Sequence, residues 1–188
     1  MTRIAPVQPP YDHDTSEQLA RMMPAGAEPI LLFRTFAKNL PMASAMGSWG
    51  SYELSRRLSL SMRDRELLID RTCARCRCEY EWGVHIAFFA DRVGLSTDQI
   101  ASLTHGSADD ACWTDERDRL LIRAADALHD HATINETLHD QLVEVFTEPE
   151  LLDIYMLCGW YHAISYVANA ADVDLEPGAP TFNDHQLA

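Results

Sequence analysis

The segment from about Glu148 to Ala171 limits most tightly what this chain can fold into. Leu151, Leu152, Ile154, Tyr155, Met156, Leu157, Trp160, Tyr161, Ile164, Tyr166 and Val167 leave it without a polar face, interrupted only by Asp153, His162, Ser165 and Asn169. Those interruptions leave no run of about 18 uncharged apolar residues, so a transmembrane span is not expected. A helix that is apolar all round is buried, in a core or between subunits. A chain of 188 residues is most simply one domain and has difficulty surrounding such a helix alone. An oligomer is the expectation.

The rest of the chain also reads as helical, and no stretch alternates as a strand would. Residues 1–28 hold four of the nine prolines and read as an N-terminal arm. From Pro29 the pattern is periodic: a helix from Ile30 to Leu40 stopped by Pro41, then a segment from about Met42 to Leu58. Ser61 with Asp64 predicts an N-cap for a helix reaching about Arg77. The next helix runs to Val93, with Gly94 as its C-terminal stop, and Ser96 caps a short helix. Residues 104–112 read as a loop. Helices follow from Thr114, over about Asn135–Phe146 and over 148–171. The fold class is all-α, with a helical domain over 29–180 and a tail over 181–188 in which Asp184 and His185 are expected to be disordered.

Charge excludes one class of partner. A net charge of −14 argues against a nucleic-acid binder. The N-terminus has no apolar core of a signal peptide, so a cytoplasmic protein with reduced cysteines is expected.

The chemistry concentrates in Cys78-Glu79-Tyr80-Glu81-Trp82-Gly83-Val84-His85. On a helix Glu81 and His85 lie one turn apart, roughly 40° around the axis, and Cys78 lies within about 20° of His85. Glu66 stands on the segment that leads in. Carboxylates, a thiol and an imidazole that converge are the ingredients of acid–base or thiol catalysis, so Glu66, Cys78, Glu81 and His85 are the candidate catalytic residues. The bland alternatives are a helix-stabilising Glu–His contact and a buried small hydrophobe at Cys78. Tyr80, Trp82 and His162 are candidates to contact substrate, with packing as the alternative. His162 shares a face with Asn169, either as a satisfied core pair or as a pocket wall. His129 and His131, near a helix end, read as solvated. Cys73 and Cys76 have Cys-x-x-Cys spacing, but no second such pair or His-x₃₋₅-His follows, so no metal site is expected.

Several blocks resemble the carboxymuconolactone decarboxylase family, related to the alkylhydroperoxidase-D-like fold. They are Arg63-Asp-Arg-Glu66-Leu-Leu-Ile, Cys78 to His85, Ala90 to Ile100, Trp113-Thr-Asp-Glu-Arg, Ala125 to Asp130, Gly159-Trp-Tyr-His162 through Asn169, and Leu175 to Pro180. The resemblance implies an all-α subunit assembled as a homotrimer or homohexamer, with active sites beside subunit interfaces. The peroxidase branch of the family carries Glu, then Cys-x-x-Cys, then His. Here Glu66, Cys78 and His85 match, but Glu81 replaces the second Cys, so Cys78 lacks the partner for an intrahelical disulfide.

The expected function is a cofactor-free enzyme acting on a small carboxylated lactone or related ring-cleavage acid. His85 and Glu81 serve as general acid and base, and Glu66 tunes them. Such a substrate wants an arginine, and Arg71, Arg75 or Arg123 are the candidates. The alternatives are a thiol-dependent antioxidant using Cys78 with Cys76 or Cys73, and a non-catalytic oligomeric binding protein.

Overall fold

The computed structural model describes residues 2–24 and 26–186. Among them are nine α-helices and no strand: α1 (His13–Met22), α2 (Leu31–Phe36), α3 (Leu40–Glu53), α4 (Met62–Arg75), α5 (Glu79–Phe89), α6 (Thr97–His105), α7 (Glu116–His131), α8 (Glu136–Val143) and α9 (Glu148–Ala171). Local hydrogen bonds explain several starts. Ser61 and Asp64, Ser96 and Gln99, and Thr147 and Glu150 form reciprocal capping boxes at α4, α6 and α9. Asn135 caps α8. Each cap is typically worth about 1 kcal/mol.

The order of side-chain pairs fixes the topology. Arg63 pairs with Asp118, Arg71 with Asp126 and Arg75 with Asp130, each across 55 residues. A constant offset means that α4 and α7 run parallel. Arg117 meets Glu150 and His129 meets His162, both across 33 residues, so α7 and α9 are parallel too. By contrast α4 and α5 pair in opposing order, Glu66 with His85 and the Cys73 carbonyl with the Cys78 amide. They form an antiparallel hairpin turning at Arg77, whose φ is +53°. Helix α4 is thus the central element, packed against α5, α6, α7 and α9.

Four expectations need correction. The arm holds a helix, α1, capped by Asp12 and packed on α3. Pro41 opens α3 rather than closing α2, because a proline in the first turn sacrifices no helical hydrogen bond. Helix α5 ends at Phe89, a 3₁₀ turn covers Asp91–Val93, and Gly94 follows at φ +67°. The tail is packed: the Phe182 ring lies 5.0 Å from Trp82, His185 lies 5.7 Å from the same indole, and the Phe182 amide donates to Glu79. Gly83 makes that approach possible, since a Cβ there would lie 2.5 Å from the Pro180 carbonyl oxygen.

Helix α9 is not buried all round. Its inner face fills the core, but Leu152, Met156, Gly159, Ala163, Tyr166 and Ala170 form an exposed stripe at alternating four- and three-residue spacing. Among the described residues no helix is long and apolar enough to cross a membrane.

Candidate active site

The α4–α5 hairpin sets Glu66 opposite His85, and α9 closes over both. The imidazole Nδ1 of His85 lies 2.7 Å from Glu66 Oε2. The other Glu66 oxygen accepts from Arg65 Nε at 2.7 Å. On the far side of the ring, Nε2 lies 3.1 Å from the Tyr161 hydroxyl, with the phenol edge-on at 87°. Glu81 Oε1 stands 3.6 Å from Nε2, an ion-pair distance rather than a hydrogen bond, and its Oε2 is buried without a protein partner. Glu66 is therefore the close partner of His85, and Glu81 the second. All five side chains are buried. Phe89 stacks on His85 at 5.3 Å, and the guanidinium of Arg65 lies over the same phenyl ring at 5.2 Å.

Burial alone would strip the proton from His85, yet the Glu66 and Glu81 carboxyls outweigh it and raise its pKa to about 10. Glu66 is the complementary case: burial favours its neutral form, but His85 and Arg65 hold its carboxyl below the ordinary value. One turn along α4, burial and the Glu66 charge push the Asp70 carboxyl well above its ordinary value. Burial also keeps the Tyr161 hydroxyl protonated. At neutral pH the centre is an imidazolium clamped by one carboxylate, with a phenol and a second carboxyl at its outer nitrogen.

Cys78 sits at the N-cap of α5, where helix amides favour a thiolate. Burial nevertheless pushes its thiol up to about 11, and Cys73 beside it is raised further by burial and by Cys78. Tyr80 is occupied: its hydroxyl accepts from the Leu32 amide at 2.9 Å and donates to Glu176. Trp82 is fully buried under the C-terminal tail, and its Nε1 has no protein partner. None of the three expected arginines reaches the centre. Arg71 binds Asp126, Arg75 binds Asp130 and Asp126, and Arg123 binds Asp109 and Glu116. A surface recess of 580 Å³ beside Arg63, Asp64 and Arg117 lies among ion pairs that lock α4 to α7, away from His85.

Residues 42–126 match the model of the carboxymuconolactone decarboxylase family. The match bears out the resemblance read from the sequence. No curated protein matches the chain by sequence. Among solved structures, a peroxidase-related protein from Silicibacter sp. TM1040 aligns over 96% of this chain and 95% of its own, at 19% identity and a TM-score of 0.78. The debrominase Bmp8 aligns over 94% of this chain and 93% of its own, at 16% identity and a TM-score of 0.65. A cysteine-to-alanine variant of that debrominase, in complex with 2,3,4-tribromopyrrole, aligns equally well. At these identities the likeness establishes a shared fold. Arg65 and Tyr161 complete the centre that Glu66, Glu81 and His85 begin.

His162 stands apart from that centre. Its Nδ1 lies 2.8 Å from the Cys158 carbonyl and its Nε2 lies 3.0 Å from Nδ1 of His129. His129 is thus half-buried in a contact rather than solvated as expected, while His131 remains exposed. Burial, His162 and Arg75 together lower the pKa of His129. Cys76 Sγ lies 3.8 Å from the same His129 nitrogen. Asn169 donates to the Cys76 carbonyl, so both His162 and Asn169 hold the α4–α5 turn and the end of α7.

Proposed function

We propose that the chain is a cofactor-free acid–base enzyme acting on a small carboxylated lactone or related ring-cleavage acid. The observation that carries this reading is the buried Glu66–His85 pair, whose outer nitrogen faces Tyr161 and Glu81 while Cys78 stays a protonated thiol. In decarboxylation the bond between the ring carbon and the carboxylate breaks and CO₂ leaves. The electron pair delocalises toward the lactone carbonyl as an enolate, and a proton must then reach carbon. The His85 imidazolium supplies that proton from Nε2. Glu66 keeps the ring charged and oriented, and the unpartnered Glu81 oxygen is free to accept from substrate or water. Arg65 holds Glu66 and lies nearest for an anionic substrate. Half-buried Phe89 is the side chain a ligand must displace.

The exposed α9 stripe fits a homo-oligomer, a trimer or hexamer, that covers Leu152, Met156 and Tyr166. Light scattering should then report a multiple of 21.2 kDa, and replacing Leu152 and Tyr166 together by Asp should lower it. A monomer mass for the unaltered chain at micromolar concentration would end this reading.

The test of activity is incubation with carboxymuconolactone and related carboxylated lactones in heavy water. CO₂ release should accompany deuterium at the ring carbon α to the lactone carbonyl, where the enolate is protonated, and both should disappear in His85→Ala. Full turnover in His85→Ala, or peroxide consumption that requires Cys78, would replace this reading with a structural role for the pair or with the thiol alternative.

A further inference from the structure

Three helices deliver three soft or borderline donor atoms to one point outside the His85 centre. Cys76 closes α4, His129 lies in the last turn of α7 and His162 sits midway along α9. The Cys76 Sγ and one ring nitrogen from each histidine lie within 4.8 Å of one another, and each residue is half-buried. We propose that Cys76, His129 and His162 form a zinc site with an open fourth position. This rests on geometry independent of the acid–base reading.

Two of the three separations suit ligands of a single ion. Tetrahedral zinc, with bonds of about 2.0–2.1 Å to nitrogen and about 2.3 Å to sulfur, sets ligand nitrogens about 3.3 Å apart and sulfur about 3.6 Å from nitrogen. The observed 3.0 Å between the imidazoles and 3.8 Å from sulfur to nitrogen bracket those values within a few tenths of an ångström. His162 is already set in the required tautomer. Its Nδ1–H donates to the Cys158 carbonyl one turn back, which leaves the Nε2 lone pair pointing at the cluster. That backbone acceptor is the outer partner that metal-binding histidines use. Without an ion, His129 Nδ1 is shared between a 3.0 Å contact to His162 and a 3.8 Å contact to Cys76. With an ion all three donors are satisfied. Arg75, which adjoins Cys76 in sequence, is paired with Asp126 and Asp130, so its charge is countered by carboxylates rather than left free beside the site.

The ligand set narrows the chemistry. One thiolate and two imidazoles suit zinc and its spectroscopic substitute cobalt(II), and disfavour magnesium or calcium, which want oxygen ligands. Three protein ligands at a half-exposed position leave room for water or an added anion as the fourth. The ion would tie the α4–α5 turn to α7 and α9.

The full-length protein, stripped by chelator dialysis and kept reduced, can be titrated with cobalt(II). One equivalent per chain should produce the intense visible bands of tetrahedral cobalt together with a thiolate charge-transfer band in the near ultraviolet. Cys76→Ser should remove the charge-transfer band, and His129→Ala or His162→Ala should weaken binding at least 100-fold. Cys112→Ser, outside the cluster, should leave the titration unchanged. A readout without substitution guards against misfolded variants: one equivalent of zinc should slow alkylation of Cys76 in the native protein at least tenfold. The absence of both a charge-transfer band and zinc protection of Cys76 would reduce the cluster to a hydrogen-bonded histidine pair. An unchanged titration in Cys76→Ser would do the same.

Discussion

Tyr161 and His162 are neighbours on α9, yet they serve two centres built on opposite rules. The Tyr161 side is closed: His85 lies between two carboxyls and beside a buried arginine that neutralises one of them. The His162 side is half-open: two imidazoles, a thiol and a backbone carbonyl, with no carboxyl bonded to either ring. The first arrangement holds an imidazole charged against the full cost of burial, and the second lowers the pKa of His129. An imidazole's neighbours, more than its depth, decide whether it is an acid or a ligand.

Four experiments probe that contrast. The largest effect belongs to His85→Ala, which should lower turnover on the substrate by roughly 10²–10⁴-fold. His129→Ala should leave turnover within about twofold, and an equal loss in both variants would erase the distinction between the centres. Next comes stability. Glu66→Ala leaves Arg65 and His85 facing a void and should cost about 3–5 kcal/mol in denaturant unfolding. His162→Ala should cost about 1 kcal/mol, the scale of one ordinary hydrogen bond.

The pH dependence is smaller but more specific. His85 titrates near 10 in the folded protein against 6.5 for an ordinary imidazole, so the folded chain keeps a proton that the unfolded chain releases. The associated stability is complete below about pH 6.5 and is lost as pH rises through about 10. The groups facing the ring are Glu66, Arg65 and Asp70 from α4, Glu81 from α5 and Tyr161 from α9. Melting temperature should therefore fall across that window, and Glu66→Gln should flatten the fall. A profile for Glu66→Gln that parallels the unaltered protein would show that Glu66 does not hold the proton. The smallest effect concerns the thiols. Peroxide should give no stoichiometric Cys78–Cys76 or Cys78–Cys73 link by mass spectrometry, because burial keeps Cys78 and Cys73 protonated.

What the sequence made legible follows from the range of the forces involved. Ser61 and Ser96 could be read as caps because their hydrogen bonds close within three residues. The convergence of Glu66, Glu81 and His85 was visible too, since two share a helix face and the third lies one hairpin away. Arg65 was not, because adjacent helical residues point apart; only a long side chain bent over Phe89 brings it back to Glu66. Tyr161 lay inside a recognised block, but in a helix apolar on every side nothing local distinguishes its direction from that of His162. The pairing of Arg63, Arg71 and Arg75 with Asp118, Asp126 and Asp130 was equally hidden. It depends on two helices running parallel, which no local pattern encodes. The partnership of Cys76 with His129 and His162 rests on the same long-range fact.

The exposed stripe on α9 has a mechanical meaning. Helix α9 behaves as an axle with three loaded sides: Tyr161 on one centre, His162 on the other, and Leu152, Met156 and Tyr166 turned outward. Side-chain tips lie about 6 Å from a helix axis, so turning α9 by about 10° sweeps them by about 1 Å. That displacement is enough to open the 3.1 Å contact between Tyr161 and His85. A partner that turned α9 through the outer stripe would therefore shift both Tyr161 and His162 at once without touching either centre.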